Sequence, residues 1–155
     1  MWVRAVLQSD KGFLYRSDRP KYARDLISAK TGHRIHALIT LEEGWSDVFG
    51  WNEERDLWEK TMGLPFYNFP MSNFWPPSKA TCEAVLDIFA QNAAQGRNTL
   101  IHCYSGVDRT GFVAAYALWK YKRDTAEGAW DYAVRTGQHW WFRWWKKHFL
   151  KICGG

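Results

Sequence analysis

The stretch HCYSGVDRTG (residues 102–111) decides how the rest of this chain is read. It lies between an apolar run, TLI, and a segment, FVAAYALWKY, that is apolar almost all round. A strand that passes into a buried helix through a glycine-bearing turn is the setting in which backbone amides cradle an anion. Successive N–H groups can point inward there, and the helix N-terminus adds partial positive charge. Gly106 supplies a backbone conformation that a Cβ disfavours. Arg109 carries a planar fork that grips two phosphate oxygens together, which a lysine does not reproduce. A cysteine that only packed inside a tight turn would need neither partner.

Working outward, GFLYRSDRP reads as a short strand ending in a turn, with Asp18 as N-cap and Pro20 in the first turn of a helix that Gly32 ends. RIHALITL (34–41) is apolar and β-branched enough for a buried strand. LEEGWSDVFGW is loop-like, and NEERDLWEKTMG a helix with acids in its first turn and Gly63 behind it. LPFYNFP is another short strand, and two prolines keep MSNFWPPS a loop. Ser78 then caps a helix on which Cys82, Val85, Leu86, Phe89 and Ala93 recur at helical spacing until Gly96. After the strand TLIHC, the next helix starts at Thr110; DTAEGAWDYAVR forms another, with Asp124 and Glu127 in capping-box positions. Strands alternating with helices predict one α/β domain over 1–155. Its central sheet is mainly parallel with helices on both faces, and the phosphate loop joins the last core strand to the buried helix.

Composition sets the outer bounds. The chain has 155 residues and no apolar stretch of about 20 residues for a membrane span, and the apolar segment of MWVRAVLQSDKG is shorter than expected of a secretory signal and lacks a small-residue cleavage site. Cys82, Cys103 and Cys153 are an odd number without paired spacing, which points away from disulfides and towards a reducing, cytoplasmic setting. Of the five excess positive charges, all lie late: residues 1–131 hold sixteen basic and sixteen acidic side chains, and Arg135, Arg143, Lys146, Lys147 and Lys151 follow with no acid among them. A balance of that kind concerns the tail and does not point to nucleic acid. No nucleotide or dinucleotide glycine motif is present. His33 and His36 would face opposite sides of a strand, so they form no metal pair, and no cofactor is implied.

The donors that favour a bound dianion also favour a thiolate over a thiol, and a thiolate facing a phosphate monoester attacks phosphorus in line. The segment resembles the His-Cys-x5-Arg-Thr-Gly signature of the cysteine-dependent protein tyrosine and dual-specificity phosphatases. FLYRSDRP is similar to the LYRS-x-x-P stretch of small, atypical dual-specificity members, and DTAEGAWDYAVR to their helix near S-x-E-E-A. The likeness spans residues 13–136. It implies a metal-independent phosphatase fold with Cys103 as nucleophile. Tyr104, Ser105, Gly106, Val107, Asp108 and Arg109 would bind phosphate, Thr110 would donate to the sulfur, and His102 would orient the loop.

That family brings a general-acid aspartate from an earlier loop, and FPMSNFWPPS aligns with its F-P-x-x-D-x-x-x-P-S pattern. Asn73 stands where the acid would be, and an amide does not donate a proton as an acid does. Asp108 is the favoured substitute, because its placement resembles the aspartate-arginine-threonine ending of the myotubularin-type lipid phosphatases. Asp47 and Glu43 are the other carboxylate candidates. The expected activity is phosphotyrosine or dual-specificity hydrolysis through a phosphocysteine. Two alternatives stand beside it: a phosphate-binding reader with little turnover, and a lipid or inositol phosphatase using Asp108.

No lysine occupies 104, 105 or 107, which argues against polyphosphorylated inositol lipids; Arg16, Arg19 and Lys79 are the basic groups that would reverse this. The expected partner is a phosphorylated protein or a small phosphoester. Phe74 and Trp75 are candidates to stack on an aromatic phosphoresidue. Residues 139–155 read as a Trp-rich basic helix with Trp141, Trp144, Trp145, His148 and Ile152 on one stripe. That stripe either packs on the domain or meets an anionic membrane.

Overall fold

Four parallel strands end on the same rung of one sheet, and that rung positions everything else. In the computed structural model, which describes residues 2–20, 34–43, 55–61, 63–72, 74–104 and 106–154, they are β2 (Gly12–Ser17), β3 (Ala37–Thr40), β4 (Phe66–Asn68) and β5 (Thr99–His102). Ser17 pairs with His102, His102 with Thr40, and Thr40 with Asn68. Their following loops therefore leave from one edge, where ligands of open α/β sheets bind. β1 (Val3–Ser9) adds an antiparallel edge, giving the order β1-β2-β5-β3-β4. The amino edge is stitched by Asn98. Its side chain accepts from Phe13 N and donates to the Arg34 carbonyl, while its backbone N–H donates to His36 Nδ1. His36 is thus an acceptor in the sheet's frame, and burial beside Arg34 and Arg97 lowers its pKa. His33 lies outside the described residues.

The helices are α1 (Lys79–Ala94), α2 (Asp108–Lys120), α3 (Ala126–Arg135) and α4 (Trp145–Ile152). Ser78 caps α1 by accepting from Thr81 N, and the five residues expected to be buried there are the buried ones. α2 is buried from Arg109 to Ala117, as a helix between a sheet and further helices must be. Phe112 is the hub of the helical side, its ring meeting Trp130, Trp145, His148 and Phe149. The opposite face is covered by the helical turn Leu57–Thr61, whose Trp58 packs with Tyr15, Leu38 and Leu100 and donates to the Pro65 carbonyl. The expected α/β sheet with both faces covered is therefore observed.

Several local expectations shift. α2 begins at Asp108, two residues before Thr110, which shortens the loop. The cap of α3 is Thr125, accepting from Gly128 N, while Asp124 accepts from Thr125 N. The tail is not one helix: a 3₁₀ turn (Trp140–Phe142) precedes α4, so the buried stripe is Trp145, Phe149 and Ile152, with Trp144 half-exposed. The helix expected between Pro20 and Gly32 lies outside the described residues. Among the described residues no helix is long and apolar enough to cross a membrane.

Phe112→Ala is expected to cost about 3–5 kcal/mol in urea denaturation, since four rings lose their common neighbour. Trp144→Ala should cost a small fraction of that.

Candidate active site

The loop after β5 is shaped from behind. Gly106 has φ +74°, and a Cβ there would run into the Ser17 carbonyl and the Trp2 ring, so glycine is required on both counts. The Cys103 carbonyl accepts from His102 Nδ1 at 3.1 Å, the orienting role expected of that histidine. The Gly106 carbonyl accepts from Arg16 Nη2 at 2.7 Å, and the Val107 carbonyl accepts from the same nitrogen at 3.5 Å and from Gly111 N at 2.9 Å. In a trans peptide the N–H points opposite to the C=O. Three carbonyls held on the buried side thus turn the amides of Tyr104, Val107 and Asp108 to the other side, where an anion would sit. The N-terminus of α2 adds its partial charge to the same point.

Cys103 is buried at the start of this loop and Arg109 on the first turn of α2. Arg109 Nη1 donates to the carbonyls of Leu41 (3.4 Å) and Met71 (3.2 Å), which leave the sheet after β3 and β4. Those two bonds set the plane of the guanidinium. The Thr110 hydroxyl is buried and has no hydrogen-bond partner among the described residues, so the expected bond to the sulfur is not formed in this arrangement. Ser105, Asn73 and Asp47 lie outside the described residues. Glu43 is half-buried just beyond β3.

Asp108 has both oxygens engaged. Oδ1 accepts from His139 N at 2.9 Å, and Oδ2 lies 2.7 Å from His139 Nδ1, so one proton lies between carboxylate and imidazole. His139 was not singled out by the sequence; only the i to i+31 pairing in space reveals it. Next to it, Gln138 is buried with neither side-chain amide atom partnered among the described residues.

Arg16 departs from expectation. It is fully buried behind the loop, with Nη1 donating to Tyr132 Oη and Thr136 Oγ1, so it holds the loop and does not reach a substrate. Arg19 is gripped by Glu42 through two bonds and stacks over Tyr104, its guanidinium carbon 5.1 Å from the ring centre. Lys79 opens α1. Of the other thiols, burial pushes Cys82 far above its ordinary pKa and Cys153 up to about 11.

A family model described as "Swiss Army Knife protein, DSP-PTPase phosphatase domain" (PTP-SAK) matches residues 6–141. The chain belongs to this family. As a PTP-SAK domain it is a phosphatase of the cysteine-based dual-specificity type. Solved structures share the fold. Tk-PTP in its active form is 20% identical with a TM-score of 0.69, covering 99% of this chain and 97% of that one. Kinase associated phosphatase, with its catalytic-site cysteine changed to serine, is 20% identical at TM-score 0.68, covering 92% and 89%. The core catalytic domain of the PP-IP phosphatase SIW14 from S. cerevisiae, in complex with citrate, is 20% identical at TM-score 0.66, covering 88% and 80%. No curated protein matches the chain.

Arg16→Met takes the donor from the buried Gly106 carbonyl, worth about 1–3 kcal/mol, and leaves the Val107 carbonyl with Gly111 N alone. Lower stability and weakened inorganic phosphate binding, measured by denaturation and calorimetry, are expected, with little recovery in Arg16→Lys. Iodoacetamide at neutral pH is expected to modify Cys103 ahead of Cys82 and Cys153, and inorganic phosphate should slow that reaction; peptide mapping reads both.

Proposed function

We propose that this PTP-SAK domain hydrolyses phosphate monoesters through a phosphocysteine intermediate, with phosphotyrosine and mixed phosphopeptides as its foremost substrates. The observation that carries the reading is the inward turn of the Tyr104, Val107 and Asp108 amides, with Cys103 at one end and Arg109 at the other. Cys103 Sγ attacks phosphorus opposite the leaving oxygen; the P–S bond forms as the ester P–O bond breaks. The three non-bridging oxygens stay among the amides and the Arg109 guanidinium, donors already fixed where charge builds up. Water then attacks phosphorus and gives a proton back to the group that protonated the leaving oxygen, the P–S bond breaks, and phosphate and thiolate separate.

The leaving oxygen needs a proton, and position 73 is an amide. The Asp108–His139 pair at the start of α2, when it carries a proton beyond the one in its own hydrogen bond, is the donor in this reading. Two features support a singly phosphorylated substrate. Arg16 is spent on the loop and Arg19 on Glu42, which leaves neither as a second-phosphate site. Phe74, Trp75 and Tyr104 are exposed aromatic surfaces beside the loop. Asn73 favours one second reading, a phosphate-binding reader with little turnover.

Four variants separate these readings. Cys103→Ser is expected to abolish hydrolysis and keep phosphate binding. Asp108→Asn and His139→Asn should each slow alkyl phosphates by about 10²–10⁴, the usual worth of a general acid, and slow an activated aryl phosphate far less. Equal losses on both substrates would make the pair structural. A large gain in Asn73→Asp, from a wild type that barely turns over, would favour the reader.

A further inference from the structure

Six large apolar side chains are exposed among the described residues, and five of them surround the phosphate loop. Tyr104 (63% exposed) belongs to the loop itself. Phe74 (76%) and Trp75 (71%) follow Met71, whose carbonyl holds Arg109. Trp140 (70%) follows His139, which holds Asp108, and Trp144 (53%) meets Trp75 edge-on at 6.0 Å. Only Val134, on α3, stands apart. These rings are presented by fixed backbone. Ser72 Oγ accepts from both Phe74 N and Trp75 N, Trp145 Nε1 donates to the Phe74 carbonyl, and His148 Nε2 donates to the Pro77 carbonyl. The loop and α4 are thereby one unit. A cluster of exposed aromatic side chains of this kind on a small domain marks an interaction surface.

The charge beside the rim says what it meets. Trp144, Lys147 and Lys151 fall on the outward stripe of α4, opposite the buried Trp145, Phe149 and Ile152. Arg143 is exposed between Trp140 and Trp144. Among the described residues, Lys146 alone of these cations is paired, with Glu127. No acidic residue follows Asp131, so the excess of five positive charges lies in the last 24 residues, and Arg143, Lys147 and Lys151 of these sit in the segment that carries Trp140 and Trp144. A peptide bound in the mouth would use the rim but not the stripe running away from it along α4. An extended anionic plane would use both. Tryptophan and tyrosine settle at the headgroup level of a bilayer, and lysine and arginine beside them are drawn to anionic lipid.

We infer that the rim of Tyr104, Phe74, Trp75, Trp140 and Trp144, with Arg143, Lys147 and Lys151, docks this domain on anionic phospholipid bilayers. The mouth of the phosphate loop is then held at the headgroup layer, and the monoesters it reaches are those carried at the membrane surface. Only this last consequence rests on the phosphatase reading; docking itself does not.

The test is co-sedimentation of the full chain with vesicles of phosphatidylcholine alone and of phosphatidylcholine mixed with phosphatidylserine. Binding to the mixed vesicles only, weakening with salt, is expected. It should fall by roughly tenfold or more in Trp140→Ala/Trp144→Ala and again in Lys147→Glu/Lys151→Glu. Both variants should hydrolyse a soluble aryl phosphate at the wild-type rate, which shows that they are folded. Equal binding to both vesicle types, no binding at low salt, or binding indifferent to both variants overturns the inference. So does a raised KM for a phosphotyrosine peptide in the tryptophan variant without vesicle binding, which would make the rim a peptide surface. Cys103→Ser keeps the two readings apart: it should bind vesicles fully, and vesicle binding by a wild type without hydrolysis would overturn the proposed reaction alone.

Discussion

A buried cation behind the phosphate loop is the constraint on which this domain turns. Burying a guanidinium is costly unless its donors are met, and the two terminal nitrogens of Arg16 meet acceptors from three directions, the Gly106 and Val107 carbonyls, Tyr132 Oη, and Thr136 Oγ1, while Nε has no partner among the described residues. The Trp2 and Tyr132 rings lie within 6 Å of its charge, contributing cation–π attraction. None of those partners carries negative charge, so no carboxylate among these direct contacts neutralises the charge behind the loop. Arg16 does two things at once: it points the loop carbonyls backward, and it makes the space in front of the amides favourable for a dianion.

The rest of the site is built on the rung where the parallel strands stop. Leu41 and Met71 offer their carbonyls to Arg109 because β3 and β4 end level with β5. Each loop leaving that edge contributes one restraint, and none contributes more than a few atoms. Preorganisation here comes from many weak backbone contacts converging on two arginines, one behind the loop and one beside it.

Much of this was legible in residue order, and the exceptions share a cause. HCYSGVDRTG announced its strand, turn and helix because glycine and arginine carry their geometry with them. The buried face of α1 was legible because five apolar residues recur at one helical period. Arg16 stands in the sequence only as one of three candidate groups for a further phosphate, since nothing local distinguishes a cation that faces solvent from one that faces the back of a distant loop. β1 passed unnoticed because a half-exposed edge strand containing Arg4 and Gln8 has only a weak apolar alternation, although its turn leaves a trace in Asp10 at φ +49°. The tail shifted face when a 3₁₀ turn intervened, because a stripe drawn for one continuous helix loses its phase at any break. His139 carries no local mark at all; its partner lies 31 residues earlier.

The span of these pairings has a consequence for how the cradle comes into being. Arg16 reaches Gly106 across 90 residues and Thr136 across 120. Contacts so far apart close only after the intervening chain has ordered, since the entropy of bringing the ends together must be met first. On a growing polypeptide Cys103 and Arg109 are therefore made well before the brace that aims their backbone is complete. In the proposed reading, anion capture is a property of the finished molecule, completed when residues 132–136 arrive, and an emerging chain carries the Cys103 thiol before the loop in front of it is braced.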